Sequence, residues 1–198
     1  KKVVINLFHL PEKIIAHLEQ NHRFGIDIHF SVEPELLGTG GGIARASSFF
    51  GEETILLINS DILSDLVLED FLNSYYDTGA MASLTAWPSR DYKNYNLVQY
   101  DARHILAGFQ QKDNQPSKQM QTGIFMGYYI LTPAARQYLH PHRSSVVTRF
   151  FMEAVNQHLS IPVYIHDGTW IDIGTKENYD TVIRLYQTGR INLDRFMR

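Results

Sequence analysis

Cysteine is absent from this chain. Disulfides, zinc–thiolate sites and a cysteine nucleophile are therefore excluded, and a reducing, cytoplasmic setting is the expectation. Long apolar runs are also lacking. None approaches the roughly 20 residues that a membrane helix needs, and no secretory pattern is visible. Positive charge is not in excess: 18 Lys and Arg stand against 21 Asp and Glu, a net charge of −3 with histidine neutral. Nucleic-acid binding thus has no electrostatic support, and neither a nucleic acid nor a membrane is an expected partner. The serine pairs Ser47-Ser48 and Ser144-Ser145 lack the G-x-S-x-G setting of a serine hydrolase. The nine histidines are scattered, without the helical spacing of a zinc site. No repeat or low-complexity tract interrupts the chain.

What is present is an ordinary globular composition with short apolar runs separated by helical patterns. Residues 3–7, 26–32, 54–61, 80–88, 97–100, 105–109, 122–131 and 161–166 read as strands. Residues 11–20, 43–50, 68–77, 133–139, 147–158 and 176–186 read as helices. Such alternation predicts an α/β fold with an open, mainly parallel sheet. Residues 54–61 form the strongest strand, apolar on both faces, as a central parallel strand is.

Two features could carry chemistry. The stretch Leu37-Gly38-Thr39-Gly40-Gly41-Gly42-Ile43 has four glycines in five positions between a strand and a helix. Bare N–H groups at a helix N-terminus attract anions and admit a flat ring close to the backbone. The stretch is neither a P-loop, which ends in Gly-Lys-Ser/Thr, nor a dinucleotide fingerprint. A tight turn without a ligand explains it equally well. The second feature is a pair of aspartates. Asp61 ends the apolar strand, and Asp172 follows another strand in Trp170-Ile171-Asp172-Ile173-Gly174-Thr175. Open α/β sheets bind ligands beyond the carboxyl ends of their strands. Two carboxylates there suit Mg²⁺, which completes its shell with phosphates and water. Taken singly, each aspartate reads more readily as a helix cap or turn residue. Lys112 could hold a phosphate as a point charge, although a surface lysine explains it too. Tyr92, Tyr95 and Tyr100 cluster near a loop and could stack on a sugar or simply pack.

In order and spacing, these pieces resemble the sugar-1-phosphate nucleotidyltransferases over nearly the whole chain. Leu37 to Ile43 is similar to the family's L-G-T-x-G loop. The resemblance implies that Gly38, Thr39, Gly40, Gly41 and Gly42 bind the nucleoside. Ile58-Asn59-Ser60-Asp61 resembles its N-x-D segment, and Trp170 to Thr175 with Glu177 its W-x-D-x-G-T-x-E motif. Asp61 and Asp172 are thereby implied as the catalytic Mg²⁺ ligands. Thr122-Gly123-Ile124 resembles the segment lining the sugar site, and Lys112 the lysine of E-K-P that touches the sugar phosphate. Together Lys112, Thr122 and Gly123 are the implied sugar-phosphate residues.

The T-G-G-G-I form is most like the branch with N-acetylmuramate-1-phosphate uridylyltransferase and mannose-1-phosphate guanylyltransferase-like proteins. The implied fold is a Rossmann-like open mixed sheet of the nucleotide-diphospho-sugar transferase type. The implied partners are a nucleoside triphosphate and a sugar 1-phosphate, and a homo-oligomer is compatible with them. There are two departures. E-K-P is replaced by Gln111-Lys112-Asp113, and the signature A-G-G-x-G-T-R-x-x-P-x-T…P-K is absent together with the first strand. Residues 1–198 are therefore expected to be one N-terminally incomplete nucleotidyltransferase domain, inactive by itself. The rival expectation is a non-catalytic nucleotide-sugar-binding or regulatory homologue, which the retained Asp61 and Asp172 oppose.

Overall fold

The computed structural model describes residues 2–88, 95, 97–110 and 120–196. In chain order the elements are β1 (Lys2–Leu7), α1 (Pro11–Gln20), β2 (Asp27–Val32), α2 (Gly38–Arg45), β3 (Ile55–Ile58), β4 (Ile62–Ser64), α3 (Leu68–Tyr76) and β5 (Ala82–Trp87). They continue with β6 (Leu97–Tyr100), β7 (Leu106–Gln110), β8 (Gln121–Leu131), α4 (Pro133–Arg136), α5 (Met152–Asn156), β9 (Val163–Ile165), β10 (Trp170–Asp172) and α6 (Lys176–Gln187). The chain divides into two compact units, residues 1–55 with 131–157 and residues 56–130 with 158–198.

In the first unit β1 and β2 pair in parallel, from Lys2 opposite Asp27 to Leu7 opposite Val32. Parallel neighbours need a crossover, and α1 supplies it, with proline in its first turn. β1 has β2 as its one strand partner among the described residues, and Val3 on it stays 39% exposed. Leu7, Ile28, Leu37, Ile43, Phe150 and Phe151 are buried, each aromatic or branched side chain contributing about 1.5–3 kcal/mol. Arg136 is also buried. Its Nη2 donates to the carbonyls of Gly51 and Glu53, 2.8 Å away in each case, and its guanidinium lies over Phe50. That cation thereby fastens the loop after residues 46–49.

In the second unit the strand order is β7-β6-β8-β5-β9, with β3 also paired to β8. β5 and β9 are parallel, whereas β6 is antiparallel to both β7 and β8. The sheet is mixed. Its antiparallel part arises where β6 and β7 are joined by the short turn at Asp101–His104, too short for a crossover. β4 and β10 form a separate antiparallel pair. Phe71, Ile124, Met126 and Ile130 pack with Trp170 in one apolar cluster. The indole N–H of Trp170 donates to the Met126 carbonyl at 3.0 Å, so its polar end is satisfied as well.

Two expectations about local structure are corrected. β3 is not buried on both faces: it is half-exposed, and Ile58 is 49% exposed. With β8 as its one strand partner among the described residues, its other edge has no strand cover. The second helix starts at Gly38 rather than at residue 43, so the glycines lie inside it.

Candidate active site

β3 stops at Ile58, and the polar residues Asn59-Ser60-Asp61 lead into β4. The β4–β10 ladder pairs Ser64 with Trp170, Leu63 with Ile171 and Ile62 with Asp172. It runs one bond further, where the Ile173 amide donates to the Asp61 carbonyl at 2.8 Å. Asp61 thus stands opposite Ile173 and Asp172 opposite Ile62, which makes the two aspartates diagonal neighbours in the ladder. Gly174 lies between their carboxylates. A Cβ there would meet Asp61 Oδ2 at 2.7 Å and Asp172 Oδ1 at 3.1 Å. The two oxygens are consequently within about 6 Å of each other, a span one hydrated cation can bridge. Asp172 Oδ1 also accepts the Gly174 N–H at 2.7 Å. Asp61 is exposed and Asp172 half-buried, so both remain open to solvent. Thr175 then caps α6, its hydroxyl accepting the Asn178 N–H at 3.2 Å.

Among the described residues, no cluster of three or more His, Cys, Asp or Glu side chains suits a metal. Two hard carboxylate oxygens around a space that only glycine leaves open nonetheless fit Mg²⁺, which takes one or two carboxylates and fills its shell with substrate oxygen and water.

The glycine turn lies in the first unit, and its glycines answer to the chain's own packing. Gly38 has φ +70°, a left-handed conformation that favours glycine, and a Cβ on it would meet the Ser144 carbonyl at 2.7 Å. At Gly40 a Cβ would meet Ser144 Oγ at 2.7 Å, and at Gly41 it would run into the His142 carbonyl. The Gly40 N–H donates to the Ser144 carbonyl at 2.9 Å, and Thr39 Oγ1 accepts the Val146 N–H at 3.0 Å. On the other side Glu33, buried at 5% exposure, accepts the Leu37 N–H at 2.9 Å and the Asn6 side-chain N–H at 2.8 Å. Gly42 backs onto that pair, 2.7 Å from Glu33 Oε1 at its Cβ position. A carboxylate of the protein thus already sits at the start of α2, where the sequence allowed for an outside anion.

Of the sugar-phosphate candidates, Thr122 and Gly123 lie on β8, in register with Gln99 and Val98 of β6. Gly123 packs against the Trp87 carbonyl. Lys112 lies outside the described residues. Gly127, also on β8, has φ +85°, and its Cβ position is 2.8 Å from the Asn59 side chain. Its carbonyl accepts the Asn59 N–H at 2.9 Å. A glycine four residues beyond Gly123, inside an otherwise bulky strand, is the signal that marked it.

A family model described as nucleotidyl transferase matches residues 1–189. The chain belongs to that nucleotidyl transferase family. A UTP–glucose-1-phosphate uridylyltransferase of Synechocystis is 26% identical over 197 residues, which cover 92% of this chain and 50% of that protein. The catalytic subunit beta of a mannose-1-phosphate guanylyltransferase from Drosophila melanogaster is 24% identical, covering 94% of this chain and 50% of the relative. The chain spans about half the length of the curated relatives it matches. In fold it is similar to HddC from Yersinia pseudotuberculosis, with a TM-score of 0.77 at 22% identity, covering 93% of this chain and 78% of the other. An apo UDP-glucose pyrophosphorylase gives a TM-score of 0.76 at 15% identity, with 96% and 82% covered. The Rossmann-like α/β fold implied by the motifs is thereby established. Among the described residues no helix is long and apolar enough to cross a membrane.

Proposed function

We propose that residues 1–198 are the nucleotidyltransferase domain of an enzyme joining a nucleoside triphosphate to a sugar 1-phosphate, with release of pyrophosphate. The observation that carries this reading is the pairing of Asp61 and Asp172 around Gly174. A binding-only protein has no need of two carboxylates held so close. In the reaction an oxygen of the sugar phosphate attacks the α-phosphorus. The new O–P bond forms as the bond to the β-phosphate oxygen breaks, and the electron pair leaves with pyrophosphate.

Asp61 and Asp172 would hold Mg²⁺, which when bound neutralises charge on the phosphate oxygens. The chain's own part is to position the two anions and fix donors before reaction. The backbone at Gly38, Thr39, Gly40, Gly41 and Gly42 would hold the nucleoside. Glu33 at the head of α2 favours a neutral group there over a phosphate, by like-charge repulsion. Thr122 and Gly123, with Lys112, would hold the sugar phosphate. A cytoplasmic location completes the reading, in keeping with a sequence free of cysteine.

The test is pyrophosphate release by the protein in its natural full length, over a panel of nucleoside triphosphates and sugar 1-phosphates with Mg²⁺. Turnover with one pair, lost on chelation, is the expected result. Tight nucleotide-sugar binding without turnover across the panel would replace this reading with that of a binding homologue.

A further inference from the structure

The ladder that aligns Asp61 with Asp172 is short, with three residue pairs between β4 and β10. In any strand pair a slip of one residue turns every side chain to the opposite face. Here it would break the Ile173–Asp61 bond and change the spacing of the two carboxylates around Gly174, so register in this ladder sets the geometry of the pair. Three pairs hold register weakly, and something must fix the ends.

One end is fixed beside the carboxylates, by the Ile173–Asp61 backbone bond. At the other end stands Asp65, directly after β4. Its N–H donates to the Thr169 carbonyl at 3.2 Å, and its Oδ1 accepts the Thr169 N–H at 2.6 Å. The same Oδ1 lies 2.9 Å from Nε2 of His166, and both side chains are largely buried, 17% and 12% exposed. Asp65 therefore holds both backbone groups of the residue just before β10, and His166 holds Asp65. The turn between His166 and Thr169 closes over this contact. A Cβ on Gly168 would run into Asp65 Oδ1 and meet His166 Nε2 at 2.7 Å. The Gly168 carbonyl in turn accepts the Trp87 indole N–H at 2.9 Å, which ties the turn to β5.

We propose that Asp65, with His166 behind it, is a positioning pair that sets the register of β10 against β4 and so holds Asp172 beside Asp61 for the divalent cation. Neither residue touches the cation. The inference rests on the metal reading above, and Mn²⁺ alone serves as the probe. In the wild-type chain Mn²⁺ broadens the amide resonances of Ile173 and Gly174. Asp65→Asn removes the negative charge, so the bonds from the Thr169 N–H and His166 to Oδ1 lose their charge assistance and weaken. The Mn²⁺ concentration for half-broadening then rises about ten-fold or more, as for other groups that orient metal ligands. Amide hydrogen exchange at Thr169 and Ile171 accelerates, while exchange at Leu84 in β5 is unchanged. Should Asp65→Asn not fold, the histidine variants carry the test. His166→Ala weakens Mn²⁺ binding by a smaller factor, and His166→Gln, whose amide N–H replaces the lost donor, restores it. Equal broadening in wild type, Asp65→Asn and His166→Ala would overturn the positioning role and leave the metal site standing. Absence of broadening in the wild type would sink the metal reading and this inference with it.

Discussion

Asp61 Oδ2 and Asp172 Oδ1 lie 2.7 and 3.1 Å from the same point, the place where a side chain on Gly174 would begin. Their closeness is a product of backbone pairing. Asp61 stands just before β4 and Asp172 ends β10, in two strands whose ladder is continued by the Ile173–Asp61 bond.

The first expectation follows from that point. Gly174→Ala places a methyl group between the carboxylates and displaces a cation from both. Asp61→Ala and Asp172→Ala each remove one of the two ligands. All three variants should abolish turnover in the full-length enzyme. The Asp61 change should leave the melting temperature near the wild-type value, since the side chain lost is exposed and has no hydrogen bond among the described residues. The Asp172 change should cost about 1 kcal/mol more, because Asp172 accepts the Gly174 N–H. Kinetics and thermal melts on the same samples check both statements. Retained turnover in the Asp61 variant would remove it from the site.

The glycine turn gives a graded series. Gly41→Ala drives a methyl group into the backbone carbonyl of His142, which cannot move without its loop. Gly42→Ala meets the side chains of Glu33 and Asn6, which can shift at the expense of their hydrogen bond. Overpacking of this kind costs about 1–3 kcal/mol, with Gly41 at the upper end or beyond. Gly189→Ala meets nothing within 4 Å and bears only the strain of φ +68°, about 1–2 kcal/mol. Denaturant melts should therefore rank Gly41→Ala as most damaging. A larger loss at Gly189 would contradict the packing account of the turn.

The Asp65–His166 pair predicts a pH signature. Burial pushes the Asp65 carboxyl up. Hydrogen bonds from the Thr169 N–H and His166, with the positive charge on His166, outweigh burial and hold it below the usual carboxylate range. The folded state therefore binds this proton less readily than the unfolded chain, whose aspartate titrates near pH 3.9. The contribution is fully present above about pH 4 and is lost as pH falls through the lower folded value. Wild type should exceed Asp65→Asn in stability at pH 6, and the two should converge below pH 4. Urea melts from pH 2.5 to 6 read this directly, and a gap that stays constant across the range would contradict it.

Much of this was legible in the sequence, because local rules and tertiary packing agree there. Pro11 starts α1 where a proline is tolerated, and Thr175 caps α6. Trp170 to Thr175, which reads as a compact turn, instead forms β10 at Trp170–Asp172, with Gly174 following it ahead of α6. The misreadings have separate causes. Residues 55–58 are uniformly apolar, and that pattern reads as a doubly buried strand. The exposure of Ile58 depends on whether a neighbour strand lies alongside, which a residue run does not encode. β4 escaped because Ile62–Ser64 is too short to show alternation. Glu33, Asp65 and His166 escaped for a different reason: their partners are set by chain reversals, and Asp65 meets His166 across 101 positions. Gly38 to Gly42 looked like a bare anion seat because sequence alone could not reveal the carboxylate of Glu33 already placed there.

The proposed function stands on Asp61 and Asp172 together holding a divalent cation. Crystals grown with Mn²⁺ and a nucleoside triphosphate, with data collected at the manganese absorption edge, test it most directly. The account predicts an anomalous peak about 2.0–2.3 Å from one carboxylate oxygen of each aspartate, or one water molecule removed from one of them. An anomalous peak bound elsewhere on the protein, with Asp61 and Asp172 free of metal, would contradict it.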